Sequence, residues 1–191
     1  MFDSQEANRA YYNHVLDHFH LPAMTPEQLA YVHMHTVDES LAYLIRDEAT
    51  RDSAQAYRRQ LGYLPFLKFM EMEPGLVPLL ETLRPRFKTA VATNRTDTMA
   101  SVLADNHIDH LFDLVVCALD VQFPKPHPEA LNKVVHHFSV SPEEVIYVGD
   151  SQVDEMAAKA AAIPFVAYRN PALMADHHIR HLTEIAGLLG L

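Results

Sequence analysis

The segment that decides the fold is Val145–Asp154, which reads VIYVGDSQVD. Its first four residues are apolar and mostly β-branched or aromatic, which predicts a buried strand over 145–148. Gly149 is expected to let the backbone turn sharply into a helix. Asp150 then stands at the carboxyl end of the strand, where open α/β folds bind ligands, and Asp154 follows in the first helical turn. Two carboxylates at this edge predict a site for a hard cation such as Mg²⁺.

The same acids also have a purely structural interpretation. An Asp that follows a strand is commonly a helix N-cap, and Ser151 could cap the next helix equally well. The segment alone therefore does not distinguish metal binding from helix capping. The polar residues at other strand ends are needed to choose between the two interpretations.

Composition restricts the class of protein. The 191 residues are 49% hydrophobic, which is enough to bury a core, and the net charge of −10 offers no basic stripe for nucleic acid or a membrane surface. Cys117 is the single cysteine and cannot form an internal disulfide. No apolar run approaches the roughly 18 residues of a membrane span. We expect a cytoplasmic enzyme or regulator without nucleic-acid or membrane partners, of open oligomeric state.

The amino-terminal part of the chain has a helical pattern. From residue 4 to about 84, apolar residues recur at spacings of three and four, as in Ala7, Tyr11 and Val15. The sequence Thr25-Pro26-Glu27-Gln28 is a capping-box start for a helix that runs to about Met34. Further helices are predicted over 38–45, over 51–70, and from the Glu73-Pro74-Gly75 break to Leu83.

Strands and helices alternate after residue 86. Strands are predicted over 89–93, 114–116, 145–148 and 165–167, and helices over 95–105, 128–138, 152–161 and 180–189. This alternation is typical of a parallel sheet with right-handed crossovers. The predicted fold class is therefore α/β, with a helical domain over 1–75 and an α/β core over 76–191.

Two other strand ends carry polar residues. Thr93-Asn94-Arg95 follows the first core strand, and its hydroxyl and amides could hold a phosphate oxygen, although Thr93 could also simply cap a helix. Lys125 lies in Phe123–Pro128, where three prolines stiffen the loop. A lysine in a rigid loop loses less conformational entropy when it binds an anion. The alternative interpretation is a solvated surface lysine, which is the usual case.

Hydroxyl, lysine and paired acids, in this order and each after a strand, resemble the motifs of the haloacid dehalogenase-like hydrolase superfamily. The matching segments contain Thr93 in VATN, Lys125 in KPHPE, and Asp150 with Asp154 in GDSQVD. The resemblance covers essentially the whole chain. The helical block resembles the cap of the branch that contains phosphoglycolate phosphatase and β-phosphoglucomutase-like proteins. The implied fold is a Rossmann-like parallel sheet with a helical cap that closes over the phosphate site.

This resemblance also implies a chemistry. Family members hydrolyse phosphate monoesters through an aspartyl-phosphate with the help of Mg²⁺, so a small phosphorylated metabolite is the expected substrate. The expected metal residues are Asp150 and Asp154, with Asp150 the more direct ligand because the second acid can act through water. Lys125 would offset negative charge, while Thr93 and the amide of Asn94 would bind phosphate oxygens. Transfer of phosphate within a sugar is a same-family alternative.

The sequence departs from the family at its amino terminus. The family's nucleophile lies on a central strand that ends Asp-x-Asp-Gly-Thr, whereas Met1–Ala7 reads MFDSQEA and resembles the residues just downstream of that motif. Asp3 is therefore not expected to be the nucleophile. We expect a mis-assigned start, with roughly 10 to 15 residues upstream, and no activity from the 191 residues alone. The rival hypothesis is an inactive relative with a binding or regulatory role.

Histidine pairs are weaker metal candidates. His136-His137 and His177-His178 are predicted in helices or at helix ends, where adjacent side chains diverge by about 100° and do not chelate together easily. The pair His33 and His35 lies in the predicted cap, and the segment 33–38 is expected to influence substrate choice.

Overall fold

The computed structural model describes residues 1–96 and 98–191. The chain divides into two units, Met1–Met72 and Glu73–Leu191, which we call the helical unit and the α/β unit. The boundary predicted from the sequence lay after residue 75.

The helical unit is built from four helices around an aromatic and aliphatic core. They are α1 (Gln5–His18), α2 (Pro26–Met34), α3 (Val37–Leu44) and α4 (Glu48–Leu61), followed by a 3-10 helix over Leu64–Phe69. Two short antiparallel strands, β1 (Phe2–Asp3) and β2 (Glu71–Met72), pair within this unit. The buried core of the unit contains Tyr11, Tyr12, Val15, Leu16, Leu29, Val32, Leu41, Ile45, Ala54 and Phe66.

Local chemistry explains where these helices begin and end. The capping box at Thr25 is confirmed, because its Oγ1 accepts a hydrogen bond from the Gln28 amide and Gln28 Oε1 accepts one from the Thr25 amide. The prediction of one helix over 51–70 is wrong. Gly62 adopts a positive φ of 65°, which glycine tolerates and which ends α4, and the following residues form the 3-10 helix instead.

The α/β unit alternates strands and helices as the sequence predicts. Its strands are β3 (Ala90–Ala92), β4 (Leu114–Val116), β5 (Tyr147–Gly149), β6 (Phe165–Tyr168) and β7 (His177–Ile179). Its helices are α5 (Leu76–Leu83), α6 (Met99–Asp105), α7 (Glu129–Phe138), α8 (Gln152–Ala161) and α9 (Glu184–Leu188). Short 3-10 turns span Asp109–Leu111, Ala118–Asp120 and Pro142–Glu144. Asp97, inside the helix predicted over 95–105, lies outside the described residues.

The strands of this unit form two parallel sheets. β3 pairs with β4, and β5 pairs with β6, which pairs with β7. The prediction of parallel pairing is confirmed. Helix α7 contacts β3, β4 and α8, and α8 in turn contacts β5 and β6, so neighbouring helices cover both sheets. Ala92 at the end of β3 packs against the core formed by β6 and α8.

In the last third of the α/β unit, the observed elements differ from the predicted ones. His177 and His178 lie in β7 rather than in a helix, and the helix predicted over 180–189 begins only at Glu184. Both histidines are exposed on this strand, so the alternation of apolar residues that predicts a half-buried strand is absent there. Within residues 1–96 and 98–191, no helix has the length and apolar character needed to cross a membrane.

Candidate active site

The loop between β5 and α8 separates the two acids of the GDSQVD segment. Ser151 is the N-cap of α8 and forms a capping box with Asp154, whose Oδ2 accepts from the Ser151 amide at 3.2 Å. Asp154 is buried, whereas Asp150 is exposed at the carboxyl end of β5. The structure therefore turns one acid into the protein and the other toward solvent, and Asp150 is not the helix cap.

Lys125 is buried and paired with Asp154. Its Nζ donates to Asp154 Oδ1 at 2.7 Å, to the Tyr147 hydroxyl at 2.8 Å and to the Ala92 carbonyl at 3.1 Å. The two charged side chains are only 10% and 7% exposed. The interpretation of Lys125 as a solvated surface lysine is therefore wrong, and the ammonium group lies between the end of β3, the start of β5 and the first turn of α8.

The Asp154 carboxylate is fully hydrogen-bonded. Its Oδ1 accepts from Lys125 Nζ and from the Tyr147 hydroxyl at 2.7 Å, while its Oδ2 accepts from the Ser151 hydroxyl at 2.5 Å and from the Ser151 amide. A carboxylate offers about four acceptor positions, so these donors use its capacity. Asp154 is thus the counter-ion of Lys125 in this structure. Its role as a metal ligand stays a prediction.

Mutual attraction keeps this buried pair charged. Burial alone would lower the pKa of Lys125, but Tyr147 and the Asp154 carboxylate raise the lysine pKa above its ordinary value. Burial alone would raise the pKa of Asp154, but the Lys125 ammonium and the hydrogen bonds from Lys125, Ser151 and Tyr147 hold that pKa below its usual range. Burial raises the pKa of Tyr147, so its hydroxyl stays neutral.

Asn94 fixes the Lys125 loop through its side chain. Asn94 Nδ2 donates to the Lys125 carbonyl at 2.8 Å, and Asn94 Oδ1 accepts from the Lys125 amide at 2.9 Å. Thr93 Oγ1 accepts from the Arg95 amide at 3.1 Å, within a turn that precedes α6. Thr98, not Thr93, is the N-cap residue of that helix. Thr93, Asn94 and Lys125 are therefore brought together at the end of β3.

Gly149 is required for a different reason than the expected sharp turn. The residue is not among the glycines with positive φ, so its backbone conformation is open to other residues. A Cβ at position 149 would instead lie 2.5 Å from Asp154 Cβ and 2.7 Å from Asp154 Cγ. The absence of a side chain at Gly149 leaves the space in which the Asp154 carboxylate reaches Lys125.

Sequence reasoning missed Tyr147 and the side-chain role of Asn94. A tyrosine within an apolar strand is normally assigned to the core, and only its hydroxyl distinguishes it from phenylalanine. That hydroxyl both accepts from Lys125 and donates to Asp154. In the part of the chain that the structure describes, no three His, Cys, Asp or Glu side chains lie close enough together to hold a metal ion.

The fold and the polar strand ends define an α/β protein with a buried lysine at the end of β3 and an exposed carboxylate at the end of β5. A family model described as haloacid dehalogenase-like hydrolase matches residues 1–168. The chain therefore belongs to the haloacid dehalogenase-like hydrolase family, as its motifs indicate. The Rossmann-like α/β fold with a helical cap is the fold of this enzyme family.

Individual relatives support the same family. A phosphoglycolate phosphatase of Salmonella paratyphi A is 42% identical over 77 residues, which are 40% of this chain and 31% of that relative. The match thus spans about a third of that phosphatase. A hydrolase of the haloacid dehalogenase superfamily, subfamily IA, variant 1, from Geobacter sulfurreducens aligns with TM-score 0.81 and 38% identity over 100% of this chain and 91% of its own.

A magnesium-bound structure has the same fold. The haloacid dehalogenase-type hydrolase YfnB from Bacillus subtilis, whose structure was determined with magnesium, aligns with TM-score 0.71 over 100% of this chain and 94% of its own. At 21% identity, this similarity shows the fold alone.

Replacement of Asp154 by Asn is expected to lower the free energy of unfolding by about 3–5 kcal/mol, because it leaves the Lys125 ammonium buried without its counter-ion. The matched change Asp150→Asn alters an exposed carboxylate and is expected to shift this free energy by no more than about 0.5 kcal/mol. Urea unfolding of the three proteins at pH 7 measures both effects. Equal losses for the two variants would contradict the assignment of Asp154 as the internal partner.

The effect of Asp154→Asn should also depend on pH. Because the folded pKa of Asp154 is depressed, its stabilisation is complete above the ordinary aspartate pKa of about 3.9 and is lost as the pH falls through the folded value. The raised pKa of Lys125 preserves its own contribution up to about pH 10. The difference between the wild type and the variant should therefore be full at about pH 5 to 7 and shrink on acidification.

Replacement of Gly149 by Ala is expected to destabilise the protein by about 1–3 kcal/mol, because the added methyl group displaces the Asp154 side chain. The control is Gly187→Ala in α9, where an added Cβ meets nothing within 4 Å. Alanine favours a helix over glycine, so this variant should melt at the wild-type temperature or higher. Thermal unfolding followed by circular dichroism compares them, and equal melting temperatures would argue against the close approach of Asp154.

Proposed function

We propose that this protein is a Mg²⁺-dependent phosphate monoester hydrolase that acts on a small phosphorylated metabolite through an aspartyl-phosphate. The observation that carries the proposal is the buried Lys125 ammonium at the end of β3, held in place by Asp154. Lys125 lies near Thr93 and Asn94. The segments that contain these residues follow the order of the family motifs along the chain. The phosphatase relatives described above support the class of reaction.

The free carboxylate of this site suits a hard cation. Asp150 is exposed at the end of β5, and its side chain makes no hydrogen bond to another described residue, so its oxygens are open to Mg²⁺. Asp154 has its four acceptor positions filled. We therefore assign Asp150 as the direct ligand of Mg²⁺. Asp154 is assigned instead as the buried counter-ion of Lys125. When bound, Mg²⁺ would reduce the repulsion between a carboxylate nucleophile and the phosphate.

The other residues act on the transferring phosphoryl group. The Thr93 hydroxyl and the Asn94 amide would donate to its oxygens, and the Lys125 ammonium would stabilise the charge that develops on them. The Asn94 side chain holds the backbone of Lys125, which fixes the lysine relative to these donors. Because the lysine is already positioned before substrate arrives, little reorganisation is needed during the reaction.

The nucleophile is proposed to lie on a strand that is not among these 191 residues. β3 and β5 belong to two separate sheets, yet Lys125 and Tyr147 both reach the Ala92 carbonyl of β3. A strand between β3 and β5 would complete a parallel sheet and bring a carboxylate to Lys125. We propose that this strand carries the family's Asp-x-Asp-Gly-Thr motif, with its first Asp as nucleophile and its second as general acid and base.

A non-catalytic binding or regulatory role is the second candidate. One observation favours it, because each of the three ammonium hydrogens of Lys125 already has an acceptor inside the protein. In an inactive relative, this arrangement would be permanent and the lysine would serve only to stabilise the fold.

The decisive experiment compares the 191-residue chain with a form extended by the in-frame codons upstream of Met1. Only the extended form should hydrolyse p-nitrophenyl phosphate, and only with Mg²⁺, because the nucleophile lies on the added strand. In that form Asp150→Asn should reduce kcat/KM on the order of 10²-fold or more, since it weakens the binding of Mg²⁺, whose charge would stabilise the transition state. Steady-state kinetics with and without a chelator measure each effect.

Asp3→Asn is the control for that experiment. Asp3 lies in β1, and its Oδ1 accepts from the Gln5 amide at the start of α1, so this change should leave turnover unaltered. Two outcomes would contradict the proposal. One is an in-frame stop codon directly before Met1, and the other is substantial Mg²⁺-dependent turnover by the 191-residue chain that survives Asp3→Asn.

A further inference from the structure

The peptide unit between Asp150 and Ser151 is held from both sides. Its carbonyl oxygen accepts a hydrogen bond from Asn170 Nδ2 at 2.8 Å, and its N–H donates to Asp154 Oδ2 at 3.2 Å. The C=O and N–H groups of a trans peptide unit point in opposite directions, so the two partners lie on opposite sides of this unit. Rotation about the Cα–C bond of Asp150 would therefore break both contacts.

Asn170 donates to Asp150 just beyond the point where β5 and β6 stop pairing. Gly149 is the last paired residue of β5 and lies opposite Ala167, and the chain then turns toward the N-cap of α8 at Ser151. The side-chain amide of Asn170, three residues after Ala167, supplies the hydrogen bond that holds the Asp150 carbonyl beside the end of β6.

A second contact determines which way the Asn170 amide faces. Its Oδ1 accepts from the Ala172 amide at 3.2 Å, so the oxygen is turned toward its own loop. The Asp150 carbonyl can only accept, so the Nδ2 group must face it. Both ends of the Asn170 side chain are thus used.

The backbone that carries Asn170 is itself fixed by the preceding residue. Arg169 has φ 51°, which is uncommon for a residue other than glycine and must be held by its surroundings. Its amide donates to the Ile179 carbonyl at 2.9 Å and its Nε donates to the Arg180 carbonyl at 3.1 Å. Its guanidinium also pairs with Glu73 at 3.1 Å. These contacts hold the turn that brings Asn170 to the end of β5.

We propose that Asn170 is a positioning residue for Asp150, and that it acts with Asp154 to fix the peptide unit that sets the direction of the Asp150 carboxylate. That carboxylate makes no hydrogen bond to another described residue, so its direction depends on the backbone that carries it. Asp154 is in turn held by Lys125. The buried ion pair and the loop after β6 therefore form one frame around the exposed acid.

This inference rests on the proposed function only for the role of Asp150 as a ligand of a divalent cation. A carboxylate that is already fixed loses less conformational entropy when it binds the cation. Partners that orient a metal ligand typically contribute 10–100-fold to metal affinity. The order of the peptide unit and the affinity for a metal can be measured separately.

The first test measures the order of the Ser151 amide by ¹⁵N relaxation in the metal-free 191-residue chain. The order parameter should be about 0.85 in the wild type, as for rigid backbone, and should fall toward about 0.6 in Asn170→Ala. Asn170→Asp should cause a similar fall at pH 7. Its carboxylate keeps an acceptor for the Ala172 amide but has no hydrogen to donate to the Asp150 carbonyl.

The second test titrates Mn²⁺ into the same chain and counts free Mn²⁺ by electron paramagnetic resonance. The dissociation constant should rise about tenfold in Asn170→Ala. The matched control for both tests is Asn106→Ala. Asn106 Nδ2 donates to the Val102 carbonyl at 2.8 Å at the end of α6, so this variant removes the same kind of bond far from Asp150 in the sequence. It should change neither the order of Ser151 nor the Mn²⁺ affinity.

The possible outcomes separate this inference from the proposed function. An unchanged Ser151 order parameter in Asn170→Ala would overturn the positioning role, whatever the metal affinity. A lower order parameter with unaltered Mn²⁺ affinity would overturn the link between position and metal binding. Equal Mn²⁺ binding by the wild type and Asp150→Asn would instead contradict the metal ligand of the proposed function, and the relaxation data would still decide whether Asn170 positions Asp150.

Discussion

The buried ion pair between Lys125 and Asp154 is the interaction on which the site depends. It joins the proline-rich loop to the first turn of α8, and the Tyr147 hydroxyl bonds to both partners. Removing two charges from water costs several kcal/mol for each ion, and only a complete set of hydrogen bonds offsets that cost. The surrounding residues supply this set, because Ser151 donates to the Asp154 carboxylate and the Ala92 carbonyl accepts from the Lys125 ammonium. Gly149 has no side chain, which leaves room for the Asp154 carboxylate.

The ion pair also gives the two acids of one short motif different environments. Asp154 faces inward and its charge is balanced by the lysine, whereas Asp150 is exposed and lacks a partner among the described residues. This separation would suit the proposed phosphatase activity, which needs a fixed positive group near the phosphate and an open carboxylate for a cation. A lysine without its buried partner would not be held at the end of β3.

Features that depend on neighbouring residues in the chain could be predicted from the sequence. The capping box at Thr25 and the strand over Leu114–Val116 appear where the pattern placed them. Features set by tertiary contacts could not be predicted. β7 carries exposed histidines and has no apolar alternation, and the role of Gly149 comes from the side chain of Asp154 rather than from its own φ. The motifs located the candidate site, but only the packing around Lys125 distinguishes the free acid from the paired one.

Asp154 holds Lys125, and we propose that Asp150 is therefore the acid that binds a divalent cation. Anomalous diffraction from crystals of the protein soaked in Mn²⁺ tests this division directly. We expect one Mn²⁺ peak at coordination distance from the Asp150 carboxylate, with the Lys125 to Asp154 contact intact. A peak on the Asp154 carboxylate, with Lys125 displaced from it, would show that Asp154 and not Asp150 is the metal ligand.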